Sequence, residues 1–146
     1  MISLSFYTNK EIQQIIFNAY QNPKYKKENI NVTNKTITEH SQICVDDLQI
    51  NFSWNNAKLI NVEYKAIGCA VFLASCDLMC ELIMNKHIDE IKEISNLYFD
   101  LINNKNISDN FDKLDKLLVF KNVGTHLNRI ECASIIYRAL KREINE

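Results

Sequence analysis

Two segments in the middle of the chain alternate between apolar and polar residues, and a short polar stretch separates them. The apolar positions are Leu48, Ile50, Phe52 and Trp54 in the first segment and Ile60, Val62, Tyr64 and Ala66 in the second, with NNAK between them. Successive side chains of a strand point to opposite faces, so each segment predicts a strand with one apolar face. We therefore predict an antiparallel hairpin that turns near Asn56 and Ala57, and we expect Trp54, at the end away from Cys44, to pack in the core.

Helical periodicity is found on both sides of this hairpin. The segment TNKEIQQIIFNAY combines the capping-box spacing of Thr8 and Glu11 with an apolar stripe that ends before Pro23. After the hairpin, helical spacing runs through CAVFLASCDLMCELIM, starts again at Asp89, returns in a short run around Leu117 and closes the chain with LNRIECASIIYRALKREI. The segment TITEHSQI is a weaker strand candidate.

These elements predict an α+β fold in which a small antiparallel β-sheet is packed with helices. A length of 146 residues suits one domain with a sizeable core, so we expect residues 1–146 to form a single domain. Hydrophobic content of 47% with only two glycines and one proline is typical of a folded, helix-favouring protein.

Charge and hydropathy exclude several classes of partner. The formal net charge of -1 provides no general attraction to nucleic acid or to anionic lipid, so we expect neither as a partner. No stretch of about 18 residues is apolar enough to span a bilayer, and MISLSFYTNKE lacks the features of a signal peptide. We therefore expect a cytoplasmic protein.

The chain contains five cysteines, and IGCAVFLASCDLMC holds three of them. In a reducing compartment, such residues are more often metal ligands, nucleophiles or core residues than disulfides. Cys76 and Cys80 follow Leu73 at helical spacing on the apolar face, which predicts that both are small buried side chains.

Cys44 and Cys69 lie at opposite ends of the predicted hairpin. Opposed residues of antiparallel strands have numbers with a constant sum, so a turn between residues 56 and 57 brings these cysteines within about one residue of facing each other. Strands about 4.8 Å apart allow two thiolates to share a metal, and Asp46 can reach the same end of the hairpin. Cys132 lies near the start of the last predicted helix, where exposed N–H groups favour a thiolate. The residues alone leave two alternatives open, a shared metal site or scattered free thiols.

Several segments, in order over nearly the whole chain, resemble the U-type iron–sulfur assembly family, which includes SufU, IscU and the N-terminal domain of NifU. IIFNAYQNPKYKK resembles the first helix and Asn-Pro pair of that family, CVD its Cys-Gly-Asp, AIGCAVFLAS its Gly-Cys-x-x-x-x-A-S segment, and RIECASI its Arg-Ile-x-Cys-A segment. The long separation of Cys69 from Cys132, with NNKNISDNFDKLDKLLVFKNV as the insertion, is similar to the SufU branch. The chain also lacks the Leu-Pro-Pro-Val-Lys motif of IscU proteins.

The resemblance implies that Cys44, Asp46, Cys69 and Cys132 surround one metal position. This donor set suits Zn²⁺ or, alternatively, the terminal positions of a [2Fe-2S] cluster. Arg129, one helical turn before Cys132, is a candidate counterion or outer hydrogen-bond donor.

Three functions are compatible with such a site. In the first, which resemblance to SufU implies, Cys44 is the catalytic thiolate that accepts persulfide sulfur from a cysteine desulfurase. In the second, the protein is a scaffold that builds a [2Fe-2S] cluster and transfers it to apo iron–sulfur client proteins. In the third, a zinc-stabilised domain binds a desulfurase without passing sulfur.

Two residues depart from the family pattern. Val45 replaces a glycine, which is unfavourable if the loop requires positive φ there. Glu131 stands where SufU proteins often have lysine, and an acid beside three thiolates weakens the local positive field. Neither His40 nor His126 matches a family ligand position, so we expect both to be ordinary surface or strand-edge residues. His87 follows MNK at a predicted helix end, where it would be a favourable C-terminal cation when protonated.

Overall fold

The computed structural model describes residues 7–103, 109–121, 123 and 127–145, and its sheet is built around the predicted hairpin. Strand β1 (Ile37–His40) pairs antiparallel with β2 (Asp47–Asn55), which pairs antiparallel with β3 (Lys58–Ile67). The order in this three-stranded sheet is β1-β2-β3. Asn56 and Ala57 both have positive φ, 53° and 65°, as a two-residue turn between twisted strands requires. The predicted turn position is therefore confirmed.

A bulge shifts the register of the hairpin by one residue. Trp54 opposes Leu59 beside the turn, whereas Asp47 opposes Ile67 at the other end, with the irregularity next to Trp54. The sum of opposed residue numbers consequently rises by one along the strands. The cysteines predicted to face each other lie just beyond the ends of the paired strands, so loops and not ladder pairing bring them together.

The helices begin and end close to the predicted positions. They are α1 (Asn9–Gln21), α2 (Ala70–Ile83), α3 (Ile88–Ile102) and α4 (Leu127–Ile144), with a 3₁₀-helical segment (Asp109–Phe120) between α3 and α4. The capping box of α1 is confirmed, because Thr8 Oγ1 accepts from Glu11 N and Glu11 Oε1 accepts from Thr8 N. Within the described ranges, no helix combines the length and the apolar character needed to cross a lipid bilayer.

His87 begins a helix instead of ending one. It is the N-cap residue of α3, and its Nδ1 accepts a hydrogen bond of 3.1 Å from Asp89 N. The prediction that His87 lies at a helix C-terminus is wrong, because α2 ends at Ile83 and the chain turns through residues 84–86 before α3 starts.

Helix α2 is the centre of the core. Most of its side chains are buried, and it packs against α1, α4 and β3. The apolar face of the sheet is also buried, through Leu48, Ile50, Leu59, Val62, Tyr64 and Ala66. Trp54 is half-buried at the margin of this core, where its indole N–H donates to Glu143 Oε2 at 2.7 Å. The fold thus places the start of α2 beside the start of β2 and the first turns of α4.

Candidate metal centre

The structure brings the four sequence-predicted ligands together at one end of the sheet. Cys132 Sγ lies 3.3 Å from Cys69 Sγ and 3.9 Å from Cys44 Sγ, and Cys69 Sγ lies 3.8 Å from Asp46 Oδ2. One ligand atom from each of Cys44, Asp46 and Cys132 lies within 4.8 Å of the others. Cys44 and Asp46 belong to the β1–β2 loop, Cys69 joins β3 to α2, and Cys132 belongs to α4.

Three separations between neighbouring donor atoms are close to those around a small tetrahedral cation, and Cys69 joins the mutually close group of Cys44, Asp46 and Cys132 through its contacts with Cys132 and Asp46. Bonds of about 2.3 Å to sulfur and about 2.0 Å to oxygen place tetrahedral donor atoms roughly 3.5–3.8 Å apart. The separations of 3.8 and 3.9 Å match this range, and the contact of 3.3 Å needs only a small adjustment. Three thiols and a carboxylate suit Zn²⁺ and also the terminal positions of a [2Fe-2S] cluster.

Cys69 is the N-cap residue of α2. Its Sγ accepts from Phe72 N at 3.5 Å, and the side chain is exposed. The sulfur therefore lies at the helix terminus whose N–H groups have no partner within the helix. Cys69 N donates to Asp46 Oδ1 at 2.9 Å, and Asp46 is only 1% exposed. A buried carboxylate is thereby held against the helix terminus that bears a ligand sulfur.

Cys132 lies in the second turn of its helix. Because α4 begins at Leu127, the free N–H groups of its first turn come before Cys132, and the prediction that they favour the Cys132 thiolate is wrong. Burial raises the pKa of the Cys132 thiol, and hydrogen bonds with Asp46 and Cys69 raise it further. A cation that binds there therefore has to displace the thiol proton.

The loop that carries Cys44 is closed by its own polar groups. Ser41 N donates to Asp46 O at 3.0 Å, and Ser41 Oγ accepts from Cys44 N at 2.9 Å and from Ile43 N at 3.2 Å. Val45 is 84% exposed and is not among the described residues with positive φ. The loop therefore accommodates valine at the position of the family glycine without backbone strain.

Glu131 faces the loop that carries Cys44 and is paired with an arginine. Its Oε2 accepts from Gln42 N at 2.7 Å, and Arg138 Nη1 and Nη2 donate to its two carboxylate oxygens, each at 3.1 Å. Partial burial acts to raise the pKa of Glu131, but the hydrogen bonds from Arg138 and Gln42 outweigh it and lower that pKa. The sequence led us to expect that the negative charge of Glu131 would weaken the positive field at the thiols. The structure corrects this expectation, because Arg138 balances that charge.

Among the described residues, the remaining candidates are not members of the ligand cluster. Arg129 is exposed in the first turn of α4, and within the described part of the chain no hydrogen bond joins it to a thiol or carboxylate of the site. His40 is exposed on β1, where its Nδ1 lies 2.5 Å from Asp47 Oδ1. His126 lies outside the described residues. Cys76 and Cys80 are fully buried in α2, as predicted, and burial raises the pKa of both thiols.

Comparison with known proteins places this chain in a family. A family model described as the NifU-like N terminal domain matches residues 11–145. A zinc-dependent sulfurtransferase SufU of Bacillus subtilis is 24% identical over 145 residues, which cover 97% of this chain and 95% of that protein.

Solved structures share the fold. A crystal structure of a hypothetical protein has a TM-score of 0.85 at 16% identity and covers 95% of this chain and 100% of that one. A protein of Fervidobacterium islandicum AW-1, described as a candidate iron–sulfur cluster assembly scaffold for the SUF system, has a TM-score of 0.77 at 21% identity and covers 94% of this chain and 99% of that one.

Proposed function

Because this chain belongs to the NifU-like N-terminal domain family, we propose that it is an iron–sulfur cluster assembly protein of SufU type that accepts persulfide sulfur from a cysteine desulfurase in the cytoplasm. We take residues 1–146 as one domain of this type. Cys44, Asp46, Cys69 and Cys132 would hold Zn²⁺, and Cys44 would be the catalytic thiolate. The observation that carries this assignment is the position of the sulfurs: Cys44 lies on a loop, whereas Cys69 is the N-cap residue of α2 and Cys132 lies within α4.

The transfer is a thiol–disulfide type of exchange. Bound Zn²⁺ would keep the ligand thiols deprotonated at neutral pH and organise the loop. The Cys44 thiolate attacks the outer sulfur of the persulfide on the desulfurase cysteine. A new S–S bond forms at Cys44 while the S–S bond of the donor breaks, and the donor cysteine leaves as a thiolate. Cys44 then carries the persulfide, and no external oxidant or reductant is consumed.

The surroundings of Cys44 suit a reaction between two protein surfaces. Three apolar residues near the ligands are exposed: Ile43 by 57%, Val45 by 84% and Ile67 by 68%. Each lies within two residues of a ligand along the chain. An exposed apolar rim of this kind favours a partner surface that excludes water from the exchange. We assign Arg129 as the counterion of the site, because three thiolates and a carboxylate give bound Zn²⁺ an excess of negative charge.

A scaffold for a [2Fe-2S] cluster is the second candidate, and Asp46 is the observation that favours it. A carboxylate oxygen is a harder and weaker ligand for iron–sulfur units than a thiolate, so a site with one carboxylate releases its cargo more readily than one with four cysteines. The scaffold would transfer its cluster to apo iron–sulfur client proteins.

Metal analysis and a sulfur-transfer assay distinguish these functions. We expect the purified protein to contain stoichiometric zinc, to lack visible absorbance, and to take up sulfur from a SufS-type desulfurase with substrate cysteine. Mass spectrometry should place the added sulfur on Cys44, and Cys44→Ala should abolish the uptake, whereas Cys76→Ala should retain it. A brown protein with iron and sulfide would favour the scaffold. If the protein contained zinc and bound the desulfurase but took up no sulfur, the proposal that it accepts persulfide sulfur would be overturned.

A further inference from the structure

Glu131 connects the helix that carries one ligand to the loop that carries another. It directly precedes Cys132 on α4, and its Oε2 accepts from the backbone N–H of Gln42 at 2.7 Å. Gln42 is separated from Cys44 by a single residue. The same turn of α4 therefore supplies the Cys132 sulfur and an anchor for the loop of Cys44.

Arg138 fixes the direction of the Glu131 carboxylate. Its guanidinium donates to both carboxylate oxygens at 3.1 Å, and its Nη2 also donates to His40 O at 3.0 Å. A further bond of 3.4 Å joins its Nε to Glu39 Oε1. Arg138 thus aligns Glu131 and at the same time holds the end of β1, where the loop begins.

The anchor is a charge-assisted hydrogen bond between a largely covered carboxylate and the backbone of an exposed loop residue. The Glu131 side chain is 16% exposed, and a bond to an ionised carboxylate is stronger than one between neutral groups. Within the loop, Ser41 organises the backbone around Cys44, as described above, but those bonds join the loop to itself. The bond from Gln42 to Glu131 is a tie from the loop backbone to a helix.

We propose that Glu131 is a positioning residue that sets how readily Cys44 leaves the metal site. By holding Gln42, it keeps Cys44 Sγ close to Cys132 Sγ, which lies on α4. The role in sulfur transfer rests on the proposed function, since Cys44 has to separate from the metal in order to accept sulfur. The effect on the position of Cys44 does not require a desulfurase.

Zinc affinity and the reactivity of individual cysteines test this role. The zinc-loaded protein is compared with three variants. Glu131→Ala removes the acceptor of the Gln42 N–H bond, Glu131→Asp moves it away by one methylene group, and Glu131→Gln keeps an oxygen acceptor. We expect Ala and Asp to lower zinc affinity by about 10-fold, the lower end of the usual effect of outer-shell partners, in competition with a chromophoric chelator. Gln should restore part of this affinity.

Alkylation rates distinguish a specific effect on the position of Cys44 from a general destabilisation of the fold. Iodoacetamide labelling of the zinc-loaded protein, resolved by mass spectrometry, should be several-fold faster at Cys44 in Glu131→Ala and Glu131→Asp, with little change at Cys69 and Cys132. The matched control is Glu143→Ala, which removes a carboxylate of the same helix that bonds to Trp54. This control should leave affinity and labelling unchanged.

Two results would overturn the proposal. One is a Cys44 labelling rate in Glu131→Asp equal to that of the unaltered protein. The other is an equal acceleration at all three ligand cysteines, which would mean that Glu131 only stabilises the fold. Because these measurements use zinc and iodoacetamide alone, an absence of sulfur uptake by the unaltered protein would count against the proposed function and not against the positioning role.

Discussion

The carboxylate of Asp46 packs against the backbone of Gly68. A β-carbon at position 68 would lie 2.2 Å from Asp46 Oδ1, 2.8 Å from its Cγ and 2.6 Å from the Phe72 ring. The absence of a side chain at Gly68 therefore gives a buried carboxylate its place beside Cys69. The site depends on this glycine for space and on Cys69 N–H for a hydrogen bond to Asp46.

Gly68→Ala should weaken metal binding. The added methyl group displaces Asp46 from Cys69 N–H, and we expect zinc affinity to fall by about 10-fold or more, measured by competition with a chelator. Ala57→Gly, a change of one methyl group at the far turn of the hairpin, should leave the affinity unchanged. An unaltered affinity in Gly68→Ala would show that the site tolerates movement of Asp46.

Asp46→Asn should make Cys132 easier to deprotonate in the metal-free protein. Burial is the main cause of the raised pKa of the Cys132 thiol, and the hydrogen bond and charge of Asp46 raise it further. Removing the charge should lower that pKa, although it stays above the ordinary value of about 8.5 because burial remains.

The rate of Cys132 alkylation as a function of pH measures this shift. The profile of Asp46→Asn should move to lower pH than that of the unaltered protein. Asp47→Asn is the matched control, since this neighbouring carboxylate is exposed and pairs with His40. A profile that moves equally in both variants would contradict a specific effect of Asp46.

Local patterns made much of the fold predictable. The turn at Asn56 and Ala57 follows from strand alternation, and the start of α1 follows from the spacing of Thr8 and Glu11, because both depend on residues that are close in sequence. Burial of Cys76 was predictable for the same reason, since helical periodicity places it on the apolar face.

Interactions between residues that are distant in sequence could not be predicted from local patterns. A single bulge beside Trp54 changes the register at the far end of the hairpin, and no local signal marks it. One partner of Glu131, the backbone N–H of Gln42, lies 89 positions away, so the sequence alone presented this carboxylate as an unfavourable neighbour of the thiols. The need for Gly68 became visible only with Asp46 in place beside it.

The folded protein should lose stability at alkaline pH because of Cys76 and Cys80. Burial raises the pKa of both thiols well above the ordinary value. In the unfolded chain they ionise near pH 8.5, so above that pH the unfolded state binds fewer protons than the folded state, and the free energy of unfolding falls as pH rises. The slope is at most about 1.4 kcal/mol per thiol for each pH unit.

Urea unfolding of the zinc-loaded protein between about pH 7 and 10 measures this slope. The double variant with Cys76→Ala and Cys80→Ala should be less stable near pH 7, because each substitution leaves a small cavity, but its stability should change less with pH. Equal slopes for the two proteins would contradict the assignment of the alkaline loss to these thiols.

Asp77 should be a major source of stability although it lies outside the metal site. Its Oδ1 and Oδ2 accept from the backbone N–H of Lys24 at 3.1 and 3.0 Å, and Oδ1 also accepts at 3.0 Å from Tyr25 N and from the Tyr64 hydroxyl. Asp77 is only 3% exposed, so these bonds fasten the segment after α1 to the middle of α2.

Asp77→Ala should lower the free energy of unfolding by about 3 kcal/mol or more, because it leaves several partly buried donors without their charged acceptor. Tyr64→Phe removes one of the donors together with its need for a partner, so we expect a smaller loss of about 1 kcal/mol. Urea unfolding of both variants measures the difference. If Asp77→Ala cost no more than Tyr64→Phe, the backbone bonds to Lys24 and Tyr25 would contribute little. The position of α1 against α2 would then depend on apolar packing and on the ion pair between Lys24 and Glu81.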